Sequence, residues 1–320
     1  MKAIAFEVFG GPEVIGVRSL PTPEPSGGEV RIRVRAAAVN HADINMRRDG
    51  ASGLLKSAPP WVPGMDAAGT IESAGDSDFS VGDAVMAIVV PFGRRWGAQA
   101  EYVVVPAQSV APMPKGMSFE AASALPMNAM TAHLALSVLP LPPGSTVAVT
   151  GAAGVLGGYV GAIATDRGLN VIGDAAPADV PLVKESAAQV VQRGPGLADR
   201  ILALHPGGVD GVIDTAGIAA ELLPALSDGG TIVAAAMLDA FSERERGIKV
   251  EPILVGSYAR NNSALRDIAR LAERKVLRPR IISTHPPEDI SAVHRRFEGG
   301  GLRGRLVIAF DGDHTELPGR

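Results

Sequence analysis

The run VTGAAGVLGG over residues 149–158 is the segment whose residue types and spacing point most directly to chemistry. Gly151, Gly154 and Gly157 follow the apolar VAVT (147–150) and precede an uncharged stretch that reaches Asp166. Strand, glycine-rich turn and helix in that order suit a dinucleotide for three reasons: the turn is tight, bare backbone lets a pyrophosphate approach, and the helix can pack closely on the sheet. Unpaired N–H groups and the positive end of the helix dipole then meet the phosphates. Gly151, Ala152, Gly154, Val155, Leu156 and Gly157 are the expected cradle; the competing reading is a glycine-rich helix start that serves close packing alone. Asp174 lies 23 positions after Gly151, where the second strand should end. An acid there accepts ribose hydroxyls and repels a 2′-phosphate; otherwise it is a solvated loop residue. No Arg or Lys follows until Lys184.

These residues need a scaffold, and the hydrophobic pattern supplies one. EVRIRVR (29–35) alternates strictly, with Val30, Ile32 and Val34 on one face, so it predicts a half-buried strand. GTIESAG (69–75) and AEYVVVP (100–106) are strand-like, and SVGDAVMA (80–87) places a Gly-Asp turn between apolar segments. Near residue 118 the texture changes. SFEAASALPMNAMTAHLAL predicts a helix with Ser118 as N-cap. Beyond it come VAVT, NVIG (170–173), a helix to about 187, QVV (189–191), a helix near 197–204, DGVIDTAG (210–217) and TIVAAA (231–236). Short apolar strands alternating with helices predict a parallel sheet. Residues 262–275 predict an amphipathic helix with Leu265, Ile268, Leu271 and Ala272 on one face and Arg274 and Lys275 in the last turn. GRLVIAF (304–310) is a final strand, and 311–320 a polar tail.

The 320 residues are enough for two domains, and 46% hydrophobic with 20% charged residues is ordinary for a globular chain. Net charge is −4 and no long basic run occurs, so the footprint of a nucleic-acid binder is missing. Arg244, Arg246 and Lys249 alternate with Glu243 and Glu245 and suggest a solvated face or loop. The absence of cysteine excludes disulfides and thiolate metal sites and suits a reducing cytoplasm. The N-terminus lacks the apolar run of a signal peptide. The uncharged stretch between Glu120 and Asp166 is broken by Pro126, Pro140, Pro142 and Pro143, which predicts the buried heart of an α/β domain rather than a membrane span.

Taken together, MKAIAFEVFGGPEVI, PEPSGGEVRIRVRAAAVNHADI (23–44), VPGMDAAGTIESAG (62–75), VGDAVMA, AEYVVVPA, SFEAASALPMNAMTAHLAL, GAAGVLGG and VIDTAG resemble, in order, the zinc-independent quinone oxidoreductases of the medium-chain dehydrogenase/reductase superfamily. The resemblance covers about residues 1–310. It implies an α/β chain: a GroES-like β-rich substrate domain (1–122), a Rossmann doubly wound parallel-sheet domain (123–260), a segment returning to the first domain (261–310) and the tail (311–320). It also implies an NAD(P)H-dependent, zinc-free reductase transferring hydride to a small hydrophobic quinone. The same fold would serve an enoyl or enone reductase of secondary metabolism, and a chain that had lost turnover would remain a nucleotide-binding structural or regulatory protein. A cytoplasmic homodimer, with no nucleic-acid or membrane partner, is the family expectation.

The resemblance places zinc ligands of other members at Asn40 and Met65 and at a later Cys, none of which is a ligand type here; no metal is expected. Asn40 is placed beside a substrate carbonyl, where it could donate to developing oxyanion charge. Asp43 and Arg47 match favoured positions as catalytic groups or as an ion pair fixing the loop. Thr131 matches a position near the nicotinamide carboxamide, against the alternative of a helical Thr bonding its own backbone. A family Tyr is Asn45 here, which points to solvent as the proton source. NADPH is the family expectation over NADH, but its 2′-phosphate readers fall on Ala176, Val180 and Arg193, and only Arg193 could pair with a phosphate. Ser257 and Arg260, in GSYAR, could touch the cofactor or lie at a dimer edge. Residues 47–61 and 91–97 are expected pocket rims, with Trp61, Phe92 and Trp96 either stacking on a flat acceptor or packed as ordinary aromatics.

Overall fold

A computed structural model describes residues 1–92, 96–235, 241–243 and 246–310. The chain divides into two compact units. Unit 1 comprises Met1–Met127, Ala259–Ala269 and Pro279–Arg320; unit 2 comprises Asn128–Tyr258 and Arg270–Arg278.

Unit 1 begins with an antiparallel pair, β1 (Lys2–Ala5) and β2 (Gly16–Ser19), and continues through β3 (Glu29–Ala38) to α1 (His41–Gly53). Next come β4 (Asp66–Ser73), β5 (Ala84–Ile88), β6 (Tyr102–Pro106), β7 (Val110–Pro112) and α2 (Phe119–Ser123). The alternation in β3 works as expected. Val30, Ile32 and Val34 are buried with Ile71, Val85, Val103 and Val105, each such side chain contributing about 1.5–3 kcal/mol when fully buried. Arg31 stays at the edge and pairs with Glu24 at 2.8 Å and Glu72 at 2.5 Å. Glu29, on the other face of the alternation, is buried as well, and its carboxylate accepts from the amide and hydroxyl of Ser26 at 3.1 and 2.7 Å.

The helix predicted from Ser118 is two helices. Ser118 Oγ accepts from Ala121 N at 3.3 Å, capping α2. The chain breaks at Ala124, and Pro126 opens α3 (Pro126–Val138). A proline has no N–H to continue the first helix, and its fixed φ suits a helix start.

Unit 2 then runs β8 (Thr146–Thr150), α4 (Val155–Asp166), β9 (Asn170–Ala175), α5 (Val180–Val183), β10 (Gln189–Gln192), α6 (Leu197–Leu204), β11 (Val209–Asp214), α7 (Ala219–Leu222), β12 (Leu226–Ala234), β13 (Phe241–Glu243) and β14 (Ile248–Pro252). The sheet order is β10-β9-β8-β11-β12-β14-β13, parallel except for β13 against β14. This is the doubly wound arrangement. The order reverses between β8 and β11, the place where such sheets take their ligands. Two expectations need correcting here. The helix predicted to about 187 is the four-residue α5, and Pro181 sits in its first turn. Strand β9 extends past NVIG to Ala175, so Asp174 is a buried strand residue, not a solvated loop acid. Arg246 is likewise no freely solvated side chain: its Nε meets Asp228 at 2.9 Å and its NH1 the carbonyl of Leu223 at 3.1 Å. Arg244, Glu245, residue 236 and the tail 311–320 lie outside the described residues.

Helix α8 (Asn262–Glu273) has Leu265, Ile268 and Ala272 buried as its periodicity predicts. It ends two residues early. Lys275 has a left-handed φ of 61° and Arg274 pairs with Asp166 at 2.7 Å. The chain closes with β15 (Ile281–His285), α9 (Ile290–Glu298) and β16 (Arg305–Ala309). β16 lies between β15 and β3, giving the unit 1 order β15-β16-β3-β4-β5-β7, with β6 also on β3.

Candidate dinucleotide turn and buried polar cluster

In unit 2 the expected turn spans Gly151 to Gly154 at the carboxyl end of β8. Gly151 has φ +64°, and a Cβ there would lie 2.5 Å from Thr215 Oγ1. The carbonyl of Gly151 accepts from Gly154 N at 2.8 Å, closing the turn. Gly154 is the N-cap of α4 and offers no side chain to its first turn. The N–H groups of Val155, Leu156 and Gly157 therefore have no acceptor within the helix. At Gly157 a Cβ would sit 2.4 Å from the Gly151 carbonyl oxygen, so the helix can rest on the turn only because both positions are glycine.

Two carboxylates hold this turn from its flanking strands. Asp174, at the end of β9, accepts from Ala152 N at 3.0 Å. Asp214, at the end of β11 and register partner of Thr150, accepts from Thr150 Oγ1 at 2.6 Å, Ala216 N at 3.0 Å and Gly217 N at 3.1 Å. Thr215 completes the ring: its N donates to Thr150 Oγ1 at 3.1 Å and its hydroxyl to the Thr150 carbonyl at 2.7 Å. Sequence reasoning singled out Asp174 and missed Asp214, although an acid closing the apolar run of VIDTAG was the available signal.

The other nucleotide-side candidates are placed separately. Thr131 is buried in α3. Arg193 is exposed just past β10, and its N–H donates to Ala175 O at 3.0 Å, which sets it beside the end of β9. Ala176 and Val180 are half-buried. Ser257 is exposed with its hydroxyl on Leu254 O at 2.9 Å, and Arg260 is exposed.

In unit 1 the candidates cluster at the start of α1. Asn40 is buried in extended backbone and precedes the helix. Its Nδ2 donates to Asp66 Oδ2 at 2.9 Å and to Ala38 O at 3.3 Å. Asp43 is fully buried; it accepts from Asn40 N at 2.8 Å, Gly64 N at 2.8 Å and Gln99 Nε2 at 3.1 Å. Burial pushes its carboxyl up to about 7, against the pull of the backbone N–H groups of Asn40 and Gly64. Asp66 accepts from Met127 N at 2.5 Å and pairs with Arg305 at 2.6 Å. Burial raises its pKa too, while Arg305 and the Asn40 amide oppose the rise.

Arg47 does make an ion pair, though not with Asp43. Its NH2 meets Glu298, its Nε donates to His294 Nδ1 at 3.1 Å, and its NH1 donates to Gly10 O at 2.5 Å. His294 is held far below the usual imidazole range, to about 3, by burial and by Arg47. Asn45 is exposed. The aromatic rim is packed rather than open: Trp61 stacks on Phe9 with centroids 4.8 Å apart and donates to Ser57 O at 2.8 Å. Trp96 donates to Pro60 O at 3.2 Å, and Phe92 is partly buried in the same core as Trp61. Residues 93–95 of the second rim lie outside the described residues.

Comparison with known proteins adds to this geometry. The alcohol dehydrogenase GroES-like domain family matches residues 26–115, and the zinc-binding dehydrogenase family matches residues 187–308. The chain is 29% identical to mouse quinone oxidoreductase, covering 96% of this chain and 97% of that protein. It matches the solved quinone oxidoreductase of Coxiella burnetii with a TM-score of 0.86 and 26% identity, over 97% of this chain and 99% of that one. The chain belongs to the medium-chain dehydrogenase/reductase superfamily. It is also 33% identical over 218 residues to the human protein named synaptic vesicle membrane protein VAT-1 homolog-like; that match takes in 67% of this chain and spans half the length of the relative.

The superfamily includes zinc enzymes, so the fit of a zinc ion can be tested on the residues here. Asn40 turns amide donors to Asp66 and Ala38, Met65 is a buried thioether, and the chain has no thiolate. Zinc takes thiolate, imidazole or carboxylate. These positions do not fit it, and among the described residues no group of three His, Asp or Glu gathers to hold a metal. A nicotinamide dinucleotide fits better. The superfamily binds such cofactors, and the glycines let α4 close onto the end of β8 with no side chain of its own over its first N–H groups, which have no acceptor within the helix. Among the described residues no helix is long and apolar enough to cross a membrane.

Proposed function

We propose that this protein is an NAD(P)H-dependent reductase that delivers hydride to a quinone, with NADPH as the preferred donor. The observation that supports the reading is the Gly151–Gly157 turn at the reversal of strand order, where α4 starts on a glycine N-cap and its first N–H groups have no acceptor within the helix. The full-length similarity to a quinone oxidoreductase supports the acceptor class.

The bound dinucleotide supplies the hydride. The chain's part is to bind and orient. The N–H groups of Val155, Leu156 and Gly157 hold the diphosphate, and Thr131 the carboxamide end. Arg193, exposed beside the end of β9, attracts a 2′-phosphate; Asp174 is turned into the glycine turn, where it holds Ala152 N. Ser257 and Arg260 are kept as cofactor contacts. On the acceptor side, Asn40 holds one amide hydrogen firmly on Asp66 and the other loosely on Ala38 at 3.3 Å, and the loose one can transfer to a substrate oxygen. Asp43 and Arg47, enclosed by their own partners, position α1. With Asn45 exposed and no ordered acid in its place, solvent supplies the proton. A solvent isotope effect that vanished on Asn45→Ala would refute that last point. We further propose a cytoplasmic homodimer, to be tested by light scattering and by localising a tagged chain.

The decisive experiment is fluorescence titration with NADPH and NADH, followed by turnover on quinones and enones. Tight NADPH binding with quinone reduction is expected. Turnover on enones alone would assign an enone reductase, binding without turnover a regulatory protein, and absence of binding would end the reading.

A further inference from the structure

The glycine turn is not self-supporting, and the residue that fixes it does not belong to it. Asp214 is fully buried, and one of its oxygens collects a hydroxyl and two backbone N–H groups. Its other oxygen has no hydrogen-bond partner among the described residues. A buried carboxylate with an unpaired oxygen is costly. The bonded oxygen gathers its three donors from the end of β8 and from the loop after β11, which points to a positional task.

The bonds show what is positioned. Asp214 orients Thr150 Oγ1, and that oxygen accepts from Thr215 N. Thr215 in turn grips the Thr150 carbonyl, one peptide before Gly151, and its Oγ1 fills the space a Gly151 side chain would need. Gly151 O fixes Gly154 N, the start of α4. A short chain of contacts thus leads from one carboxylate to the N–H groups that open the helix.

We propose that Asp214, acting through Thr150 and Thr215, is the positioning residue that holds the glycine turn in its dinucleotide-accepting shape. The inference rests on the reading of the turn as a nicotinamide dinucleotide site. Asp214 does not touch the ligand; it sets the height and pitch of the backbone that does.

The arrangement distinguishes an acceptor from a charge. Asp214→Asn can keep a carbonyl oxygen where the three donors converge and place its amide where no partner is now found. Asp214→Ala removes the acceptor. NADPH and NADH dissociation constants are measured by fluorescence for both variants, alongside amide exchange at residues 151–157 in the free protein. We expect Asp214→Ala to weaken dinucleotide binding about 10-fold or more, to speed exchange in the turn, and to raise KM for the cofactor more than it lowers kcat. Asp214→Asn should stay within about 3-fold of the parent. If Asp214→Ala fails to fold, Thr150→Val with rescue by Thr150→Ser carries the same test, because Val lacks the hydroxyl and Ser restores it. A folded Asp214→Ala, or Thr150→Val, with unaltered affinity and exchange overturns the proposal. Failure of the parent protein to bind either dinucleotide would instead overturn the site reading itself, so the two outcomes are separable.

Discussion

Around the glycine turn, the buried carboxylates of Asp174 and Asp214 are met by backbone N–H groups and one threonine hydroxyl. Around Asn40, those of Asp43 and Asp66 are met by backbone, by two side-chain amides and, for Asp66, by the guanidinium of Arg305. Both regions keep acids out of water, but only the second uses a cation. The difference suits the proposed function. A turn proposed to receive a diphosphate holds its acids with neutral donors, and the first N–H groups of α4 have no acceptor within the helix. At the start of α1 the acids are instead tied to the side chains of Asn40, Gln99 and Arg305, while Gln99 Oε1 and Arg305 Nε stay without a partner among the described residues.

The largest test of that contrast is to remove the cation's partner. Asp66→Ala would strand Arg305, a buried guanidinium, and breaking a buried pair from one side costs about 3–5 kcal/mol. We expect a large fall in the urea midpoint of unfolding. A loss below about 1 kcal/mol would mean that the pair contributes no more than a surface bridge. The corresponding break in the other region is steric. Gly157→Val puts a side chain where a Cβ already meets the Gly151 carbonyl carbon at 2.7 Å and its oxygen at 2.4 Å. Overpacking of this kind costs about 1–3 kcal/mol. Here it displaces the binding backbone, so NADPH affinity should drop about 100-fold, as read by fluorescence titration. Unaltered affinity would show that the turn does not contact the ligand.

A third test uses pH. Asp43 has no cation of its own, and burial raises its folded pKa to about 7 from the ordinary 3.8. A group raised on folding stabilises fully below the unfolded pKa, and that contribution is lost as pH climbs through the folded one. The stability gap between the parent and Asp43→Asn should therefore narrow by about 2 kcal/mol between pH 5 and pH 7.5, measured as urea midpoints. A gap that stays constant over that window would place Asp43 ionised throughout.

What was legible in the sequence was whatever repeats locally. The alternation in EVRIRVR, the VAVT strand, the glycine spacing and the amphipathic face of Leu265, Ile268 and Ala272 all report a period or a turn within a few residues. What was illegible joins distant positions. Arg305 meets Asp66 across 239 residues and Arg47 meets Glu298 across 251, and a single charged residue beside an apolar strand carries no mark of its partner. Asp214 was passed over for the same reason. Its strand was legible, but its three donors come from Thr150 and from the loop that follows it. The pattern also misjudged helix length wherever a proline intervened, as at Pro126 and Pro181. Proline alters which backbone groups can bond without altering the hydrophobic rhythm.

The smallest expected effect bears on cofactor choice. Arg193 is exposed, and its backbone is fixed to the end of β9 through Ala175 O. An exposed guanidinium gains only modestly from an anion, about 1 kcal/mol. Arg193→Ala should then weaken NADPH about 5-fold and leave NADH unaltered, with the difference shrinking as salt is raised. Asp174 gives the opposing control, since one of its oxygens accepts from Ala152 N. Asp174→Asn keeps an acceptor for that N–H while removing a negative charge from the end of β9. If it improves NADPH and leaves NADH unaltered, the carboxylate discriminates by repulsion despite its burial. If it weakens both equally, Asp174 serves the turn alone, and the 2′-phosphate is chosen at Arg193.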